Sequence, residues 1–220
     1  MRKKLSEVYR PKCLADVVGQ PATFFMHDIV RNPRPCCLLL EGAGGTGKTS
    51  AAFALAAEFG CYDDFSDLHY VNAVHLGIER VDTLFRQTLR LRSLGGSGWH
   101  VLIIDELEAL PSVQVQRALK SYLEIELRNL KCIVVATSNG AAGLSKPLLQ
   151  RFKLLMFGGG PGLVRAARER LAEIWRKEAG DAPMPCGWMN WGYDEDGDFS
   201  LRVAIDELES ALIGKQLVPA

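Results

Sequence analysis

The stretch 41-EGAGGTGKTS-50, preceded by the apolar run 36-CCLLL-40, decides the fold. It fits the pattern G-x-x-x-x-G-K-[ST], with Gly42, Gly47, Lys48 and Thr49 at the defining positions. Gly42, Gly44, Gly45 and Gly47 let the backbone curl so that successive N–H groups point inward at an anion. The apolar run reads as a buried strand, and 48-KTSAAFALAAEF-59 as a helix ended by Gly60, which aims a helix N-terminus at the same place. A glycine-rich turn can arise by chance, but strand, loop and helix in this order make a nucleoside triphosphate site. Its candidate binders are Gly42, Gly44, Gly45, Thr46, Gly47, Lys48, Thr49 and Ser50. Lys48 would reach the β- and γ-phosphates of ATP, and Thr49 would ligate Mg²⁺ through its hydroxyl oxygen.

Outward from that loop the chain alternates. Strand candidates are 36-CCLLL-40, 68-LHYVN-72, 100-HVLIID-105, 131-KCIVVATS-138 and 153-KLLMF-157. Most are continuous apolar runs, as expected of strands covered on both faces. Helical patterns lie between them at 48–59, 79–92, 112–127 and about 145–152. That order predicts an α/β fold with a five-stranded parallel sheet flanked by helices, over residues 1–157. The break 158-GGGPG-162 ends the alternation. After it come a charged amphipathic helix over 163–180, a loop over 181–198 and a second helix at about 200–213. These predict a small all-helical lid domain over 158–220. Trp188 and Trp191, in that loop, suit either core or partner surface.

Composition narrows the class. A chain of 220 residues can bury a real core. No apolar run is long enough for a membrane-spanning helix, and the basic start 1-MRKKLSEVYRP-11 lacks the apolar core of a secretory signal. Lys plus Arg balance Asp plus Glu at 26 each, so no global field draws the protein to nucleic acid or anionic lipid. Six cysteines form no C-x-x-C pair, and Cys36, Cys37 and Cys132 sit in strand-like runs as small hydrophobes. The expectation is reduced, structural thiols, no metal cluster and a cytoplasmic protein.

The second chemical element is 101-VLIIDELEAL-110, a buried strand that ends in Asp105-Glu106 at the carboxyl edge of the sheet, where ligands of such folds bind. Asp105 would hold Mg²⁺ through water, and Glu106 would polarise the attacking water as general base. Glu108 is expected to be a solvated helix residue. A third strand, 131-KCIVVATSNG-140, ends on polar groups. Asn139 is the favoured reader of the γ-phosphate or orienter of the lytic water, ahead of Thr137 and Ser138; an Asn there also suits a plain turn.

These residues carry a resemblance. The segments 6-SEVYRPKCLADVVGQ-20, 72-NAVHLGIERV-81, 105-DELEALPSVQVQRALKSYLE-124 and 139-NGAAGLSKPLLQRF-152 resemble, in colinear order, those of the clamp-loader branch of the AAA+ ATPases. The helices at 163–180 and 199–212 are similar to that family's lid and sensor-2 helices. The resemblance implies that Tyr9, Arg10, Pro11, Val17 and Val18 line an adenine pocket. It further implies that Asn139 is sensor 1, Arg151 a finger reaching into a neighbouring subunit's site, and Arg202 sensor 2. On the residues alone, Arg151 reads as a solvated helix-end arginine, and Arg202 as an ion-pair partner of Glu178 or Asp206.

The sequence departs from the family in 74-VHL-76, in Phe199-Ser200 before Leu201-Arg202, and in Gln150 before the finger arginine. It ends at Ala220, where the family carries a helical collar, so the expectation is either assembly with other AAA+ or collar-bearing subunits in a ring or spiral, or a drift to another AAA+ task. Arg80, Arg86, Arg90 and Arg92, with Arg117 and Lys120, form either a face for DNA phosphates or a solvated basic surface. The leading expectation is an ATP-hydrolysing motor subunit of a sliding-clamp loader acting on primed DNA. The alternatives are an ATPase remodelling another protein or recombination complex, and a nucleotide-switched assembly module. The intact Glu106 argues against the last.

Overall fold

The computed structural model describes residues 3–61, 67–91, 97–193 and 197–216, with backbone alone at 215 and 216. Five strands, β1 (Cys36–Glu41), β2 (Leu68–Asn72), β3 (His100–Asp105), β4 (Cys132–Ser138) and β5 (Lys153–Met156), form one parallel sheet in the order β2-β3-β4-β1-β5. The central strands β1, β3 and β4 are almost wholly buried, as their unbroken apolar runs require. The edge strands differ from that expectation. In β5, Leu154 and Met156 stay exposed, and β2 is half-buried apart from its exposed centre, Tyr70, since each strand has a neighbour on one side only.

Alternate residues of the central strands feed two cores. Leu39, Leu102, Ile104, Val134 and Ala136 face α4 (Ile78–Arg86) and α5 (Val113–Ile125). Leu38, Leu40, Val101, Ile103 and Val135 face α2 (Thr23–Arg31) and α3 (Lys48–Glu58). The helix read over 79–92 is shorter than its pattern: α4 stops at Arg86 and a 3-10 turn covers Thr88–Arg90, while Arg92 lies outside the described residues. The pattern at 145–152 yields one four-residue turn, α6 (Lys146–Leu149).

A third core joins α7 (Pro161–Ala179) to α8 (Leu201–Gln216). Leu5, from the short α1 (Leu5–Val8), is buried in it, with Tyr9 and Val18 packed alongside. Two polar contacts tie the same N-terminal segment down. The Tyr9 hydroxyl donates to Glu178 at 2.7 Å, and the Leu5 N–H to Glu209 at 3.3 Å. Leu14 meanwhile packs in the core against α3, and its N–H donates to Glu58. Residues 4–20 therefore bridge the sheet and the C-terminal helices, and a cavity remains between them. Trp191 packs against the third core, and Trp188 is half-buried. Among the described residues no helix is long and apolar enough to cross a membrane.

Candidate nucleotide site

Because β4 lies between β1 and β3, with β2 next, the carboxyl ends of these four strands stand side by side. Each delivers part of one site. The loop after β1 turns through left-handed backbone at Gly45 (φ 75°) and at Gly47 (φ 95°), the residue that caps α3. Gly42 is required for a different reason: a Cβ there would lie 1.9 Å from the Phe157 carbonyl oxygen. The loop is further pinned by Gln20, whose buried amide donates to the carbonyls of Thr46 (3.0 Å) and Gly158 (3.1 Å). The Thr46 hydroxyl closes the turn onto Ala43.

Lys48 is 7% exposed, and its ammonium donates to the carbonyls of Gly42 and Ala43, both at 2.7 Å, and to Asn139 Oδ1 at 3.0 Å. Burial pulls its pKa below the ordinary lysine value, while the charges of Glu108 and Asp105 oppose that shift. Thr49 donates to Asp105 Oδ1 at 3.0 Å, and Thr137 donates to the same oxygen at 2.5 Å. A hydroxyl and a carboxylate so close are hard oxygen donors of the kind Mg²⁺ takes, so the residues fit that ion. The other carboxylate oxygen, Oδ2, accepts from the Tyr70 hydroxyl at 2.9 Å. Burial, then the hydrogen bond to Asp105, pushes the Tyr70 phenol up to about 12, which keeps it a donor.

Glu106 is the one non-glycine residue with left-handed backbone among the described residues (φ 57°). Its N–H donates to the Thr137 hydroxyl, and its carboxylate accepts from Asn72 Nδ2 at 2.8 Å. Strain of this kind gathers at working sites. Glu108 is not the solvated helix residue the sequence suggested. A 3-10 turn over Leu107–Ala109 carries it back toward β4, where Oε1 accepts the Asn139 N–H at 2.9 Å and Oε2 is buried without a partner. Ser138 closes a local turn onto Gly140, and Thr137 serves the acid pair.

The other expected residues divide into three places. Tyr9, Arg10, Pro11, Val17 and Val18 all line a cavity of about 380 Å³ between the loop, the N-terminal segment and α8. It shares Arg10, Gly45, Gly47, Ser50 and Arg202 with a second cavity of about 450 Å³ around Lys48, Thr49, Asp105, Glu106 and Asn139. Arg202 thus faces both, while Glu178, one partner considered for it, accepts from Tyr9. Arg151 lines neither cavity: its guanidinium pairs with Glu124 of α5 at 3.2 Å, and its Nε is buried without a hydrogen bond. In the basic set, Arg86 pairs with Asp82, Arg90 with Glu126 and Lys120 with Glu124, whereas Arg80 and Arg117 are exposed.

Gln20, Phe53, Tyr70 and Asn72 are site residues that the sequence alone does not single out. The polar carboxyl end of β2, with Asn72 last and Tyr70 two residues before it, is the available signal, since neighbouring parallel strands share one carboxyl edge. The Gln20 and Phe53 contacts depend on tertiary placement alone.

A phosphate loop after β1, an acid pair after β3 and a polar strand end on β4 define a nucleotide-binding P-loop protein, and the chain belongs to the ATPase family associated with various cellular activities (AAA), whose family model matches residues 38–159. Among relatives, it is 30% identical to a replication factor C small subunit of Archaeoglobus fulgidus over 218 residues, 97% of this chain and 65% of that protein. It is 29% identical to the sliding-clamp-loader large subunit of Enterobacteria phage T4 over 157 residues, 70% of this chain and 46% of that protein. The chain therefore spans less than two thirds of the length of either. In fold it is similar to the Thermotoga maritima RuvB Holliday junction branch migration motor, with a TM-score of 0.67 at 21% identity over 91% of this chain and 64% of that one.

Proposed function

We propose that this chain binds ATP with Mg²⁺ and hydrolyses it as a motor subunit of a sliding-clamp loader acting on primed DNA. The observation that carries the ATPase part is the meeting of Lys48, Thr49, Asp105, Glu106 and Asn139 around one cavity that Arg202 also faces. The similarity to a replication factor C small subunit along 97% of the chain supports the loader part. In this assignment the adenine sits among Tyr9, Arg10, Pro11, Val17 and Val18. The phosphates lie on the loop from Gly42 to Ser50, with Lys48 leaving the loop carbonyls for the β- and γ-oxygens. Thr49 and Asp105 hold Mg²⁺, which would neutralise phosphate charge. Glu106 takes the proton of the attacking water, and Asn139 orients that water or the γ-phosphate.

Residues 158–220 act as a lid on residues 1–157, with Arg202 carrying the state of the nucleotide to α8. Arg151, outside its own chain's cavities, serves the neighbouring subunit in a ring or spiral. Such a finger stabilises charge on the transferred group. A second assignment, remodelling of a protein or recombination complex, is favoured by one observation: Arg86, Arg90 and Lys120 are already paired within the chain, which leaves less free positive charge for DNA phosphates.

The test is steady-state ATP hydrolysis with and without primer–template DNA, using Glu106→Gln as the blank. Stimulation by a primed junction beyond that by duplex or single strand supports the loader. Hydrolysis indifferent to all three favours remodelling.

A further inference from the structure

A continuous stack crosses the site from the base cavity to the metal carboxylate. The Arg10 guanidinium lies over the Phe53 ring, 5.3 Å from its centroid. Phe53 stacks on Tyr70 with centroids 5.4 Å apart and planes 29° apart. The Tyr70 hydroxyl then donates to Asp105 Oδ2 at 2.9 Å. Arg10 lines both cavities, so the stack has one end beside the base and the other at the Thr49–Asp105 pair. Tyr70 stands at 47% exposure on an edge strand, so the hydrophobic core does not fix its ring. Its ring stacks on Phe53 and its hydroxyl bonds Asp105, and these two contacts hold it across the site.

The hydrogen-bond arithmetic at Asp105 gives this contact a purpose. A carboxylate offers about four lone-pair positions. Thr49 and Thr137 both donate to Oδ1, and Tyr70 donates to Oδ2. One position remains, on Oδ2, and the phenol fixes the side on which it opens. Without that donor the carboxylate is held through Oδ1 alone and can pivot about it, and the stack no longer connects it to Arg10.

We propose that Tyr70 is a positioning residue for the cation: its phenol aligns Asp105 so that one Oδ2 lone pair stays open to a metal-bound water, and the Arg10–Phe53–Tyr70 stack makes that alignment depend on an occupied base cavity. The proposal rests on the ATP–Mg²⁺ assignment above and adds to it a coupling between base and metal. Donors that orient a metal's carboxylate commonly change metal affinity 10- to 100-fold when removed.

The experiment measures binding of a fluorescent, non-hydrolysable ATP analogue to the whole chain as Mg²⁺ is titrated, and again in EDTA. Tyr70→Phe keeps the ring and the stack but removes the donor. It should raise the half-saturating Mg²⁺ concentration about tenfold, while metal-free nucleotide affinity stays within about twofold. Phe53→Leu, which breaks the stack and leaves the phenol, should shift the Mg²⁺ midpoint the same way by less. A Tyr70→Phe midpoint equal to that of the unmodified protein overturns the proposal. So does an equal loss of metal-free binding, since the phenol would then support the fold and not the cation. If the unmodified protein binds the analogue with no response to Mg²⁺, both this proposal and the ATP–Mg²⁺ assignment fall.

Discussion

Gly45→Ala is the perturbation whose outcome can be worked most fully from the geometry. Gly45 has φ 75°, and its carbonyl accepts the N–H of Leu201, the first residue of α8, at 3.2 Å. An added Cβ would lie 1.9 Å from Ser200 Oγ and 3.0 Å from Ser200 Cβ. Left-handed backbone costs a residue with a Cβ about 1–2 kcal/mol. Pushing Ser200 away loosens the Leu201 hydrogen bond, worth about 0.5–1.5 kcal/mol. The sum is about 1.5–3.5 kcal/mol, or about 3–14 °C in Tm for a chain of this size. The assay is thermal unfolding without nucleotide for Gly45→Ala, Ser200→Ala and the double variant. Removing Ser200 Oγ relieves the worst overlap and leaves the tight Cβ contact. The double variant should therefore be about 1 kcal/mol less destabilised than the sum of the singles. Gly44→Ala is the control, because a Cβ there meets nothing within 4 Å and its φ is not left-handed. Strict additivity of the two changes, or a Gly44→Ala loss as large as that of Gly45→Ala, would refute the claim that α8 is seated on the phosphate loop through this contact.

Three further outcomes are expected. Glu106→Gln should leave ATP binding intact and lower turnover by about 10²-fold or more, as loss of a general base does; an equilibrium binding assay beside single-turnover hydrolysis checks this, and binding lost together with turnover contradicts the role. Arg151→Ala should reduce hydrolysis by about 10³-fold in assembled protein and leave a dilute monomer unaffected; equal damage at both concentrations, followed by sedimentation, contradicts action on a neighbour. Burial, then the neighbouring His100, holds the His69 pKa down to about 4, while the unfolded chain keeps it near 6.5. Between those values the unfolded state binds the extra proton, so stability is full above pH 6.5 and falls as pH drops toward 4. The loss, discounted for a half-open side chain, is on the order of 2 kcal/mol. Chemical denaturation across that window checks it, and His69→Gln should flatten the slope.

The sheet was legible because its information is local. Unbroken apolar runs gave β1, β3 and β4, and a shared carboxyl edge gathered the loop, the acid pair and Asn139 without any need to know distances. The edge strands were less legible, since a run such as 153-KLLMF-157 reads as buried until the missing neighbour is known. The place of Glu108 is hidden in the sequence for a related reason. Its charge and its place after the acid pair suggest a solvated helix, yet a 3-10 turn directs it at the Asn139 N–H. The link through Gln20 joins residue 20 to residues 46 and 158, and the Arg10–Phe53–Tyr70 stack joins three elements. No periodicity encodes such contacts.

The left-handed backbone at Glu106 has a consequence for anyone selecting improved versions of this chain. Glycine, or to a lesser degree asparagine, adopts that backbone more readily than glutamate. Libraries screened for heat resistance alone should therefore enrich substitutions at position 106. The winners would be sturdier proteins without the carboxylate that gives hydrolysis its base, so selection for robustness here needs a simultaneous selection for turnover.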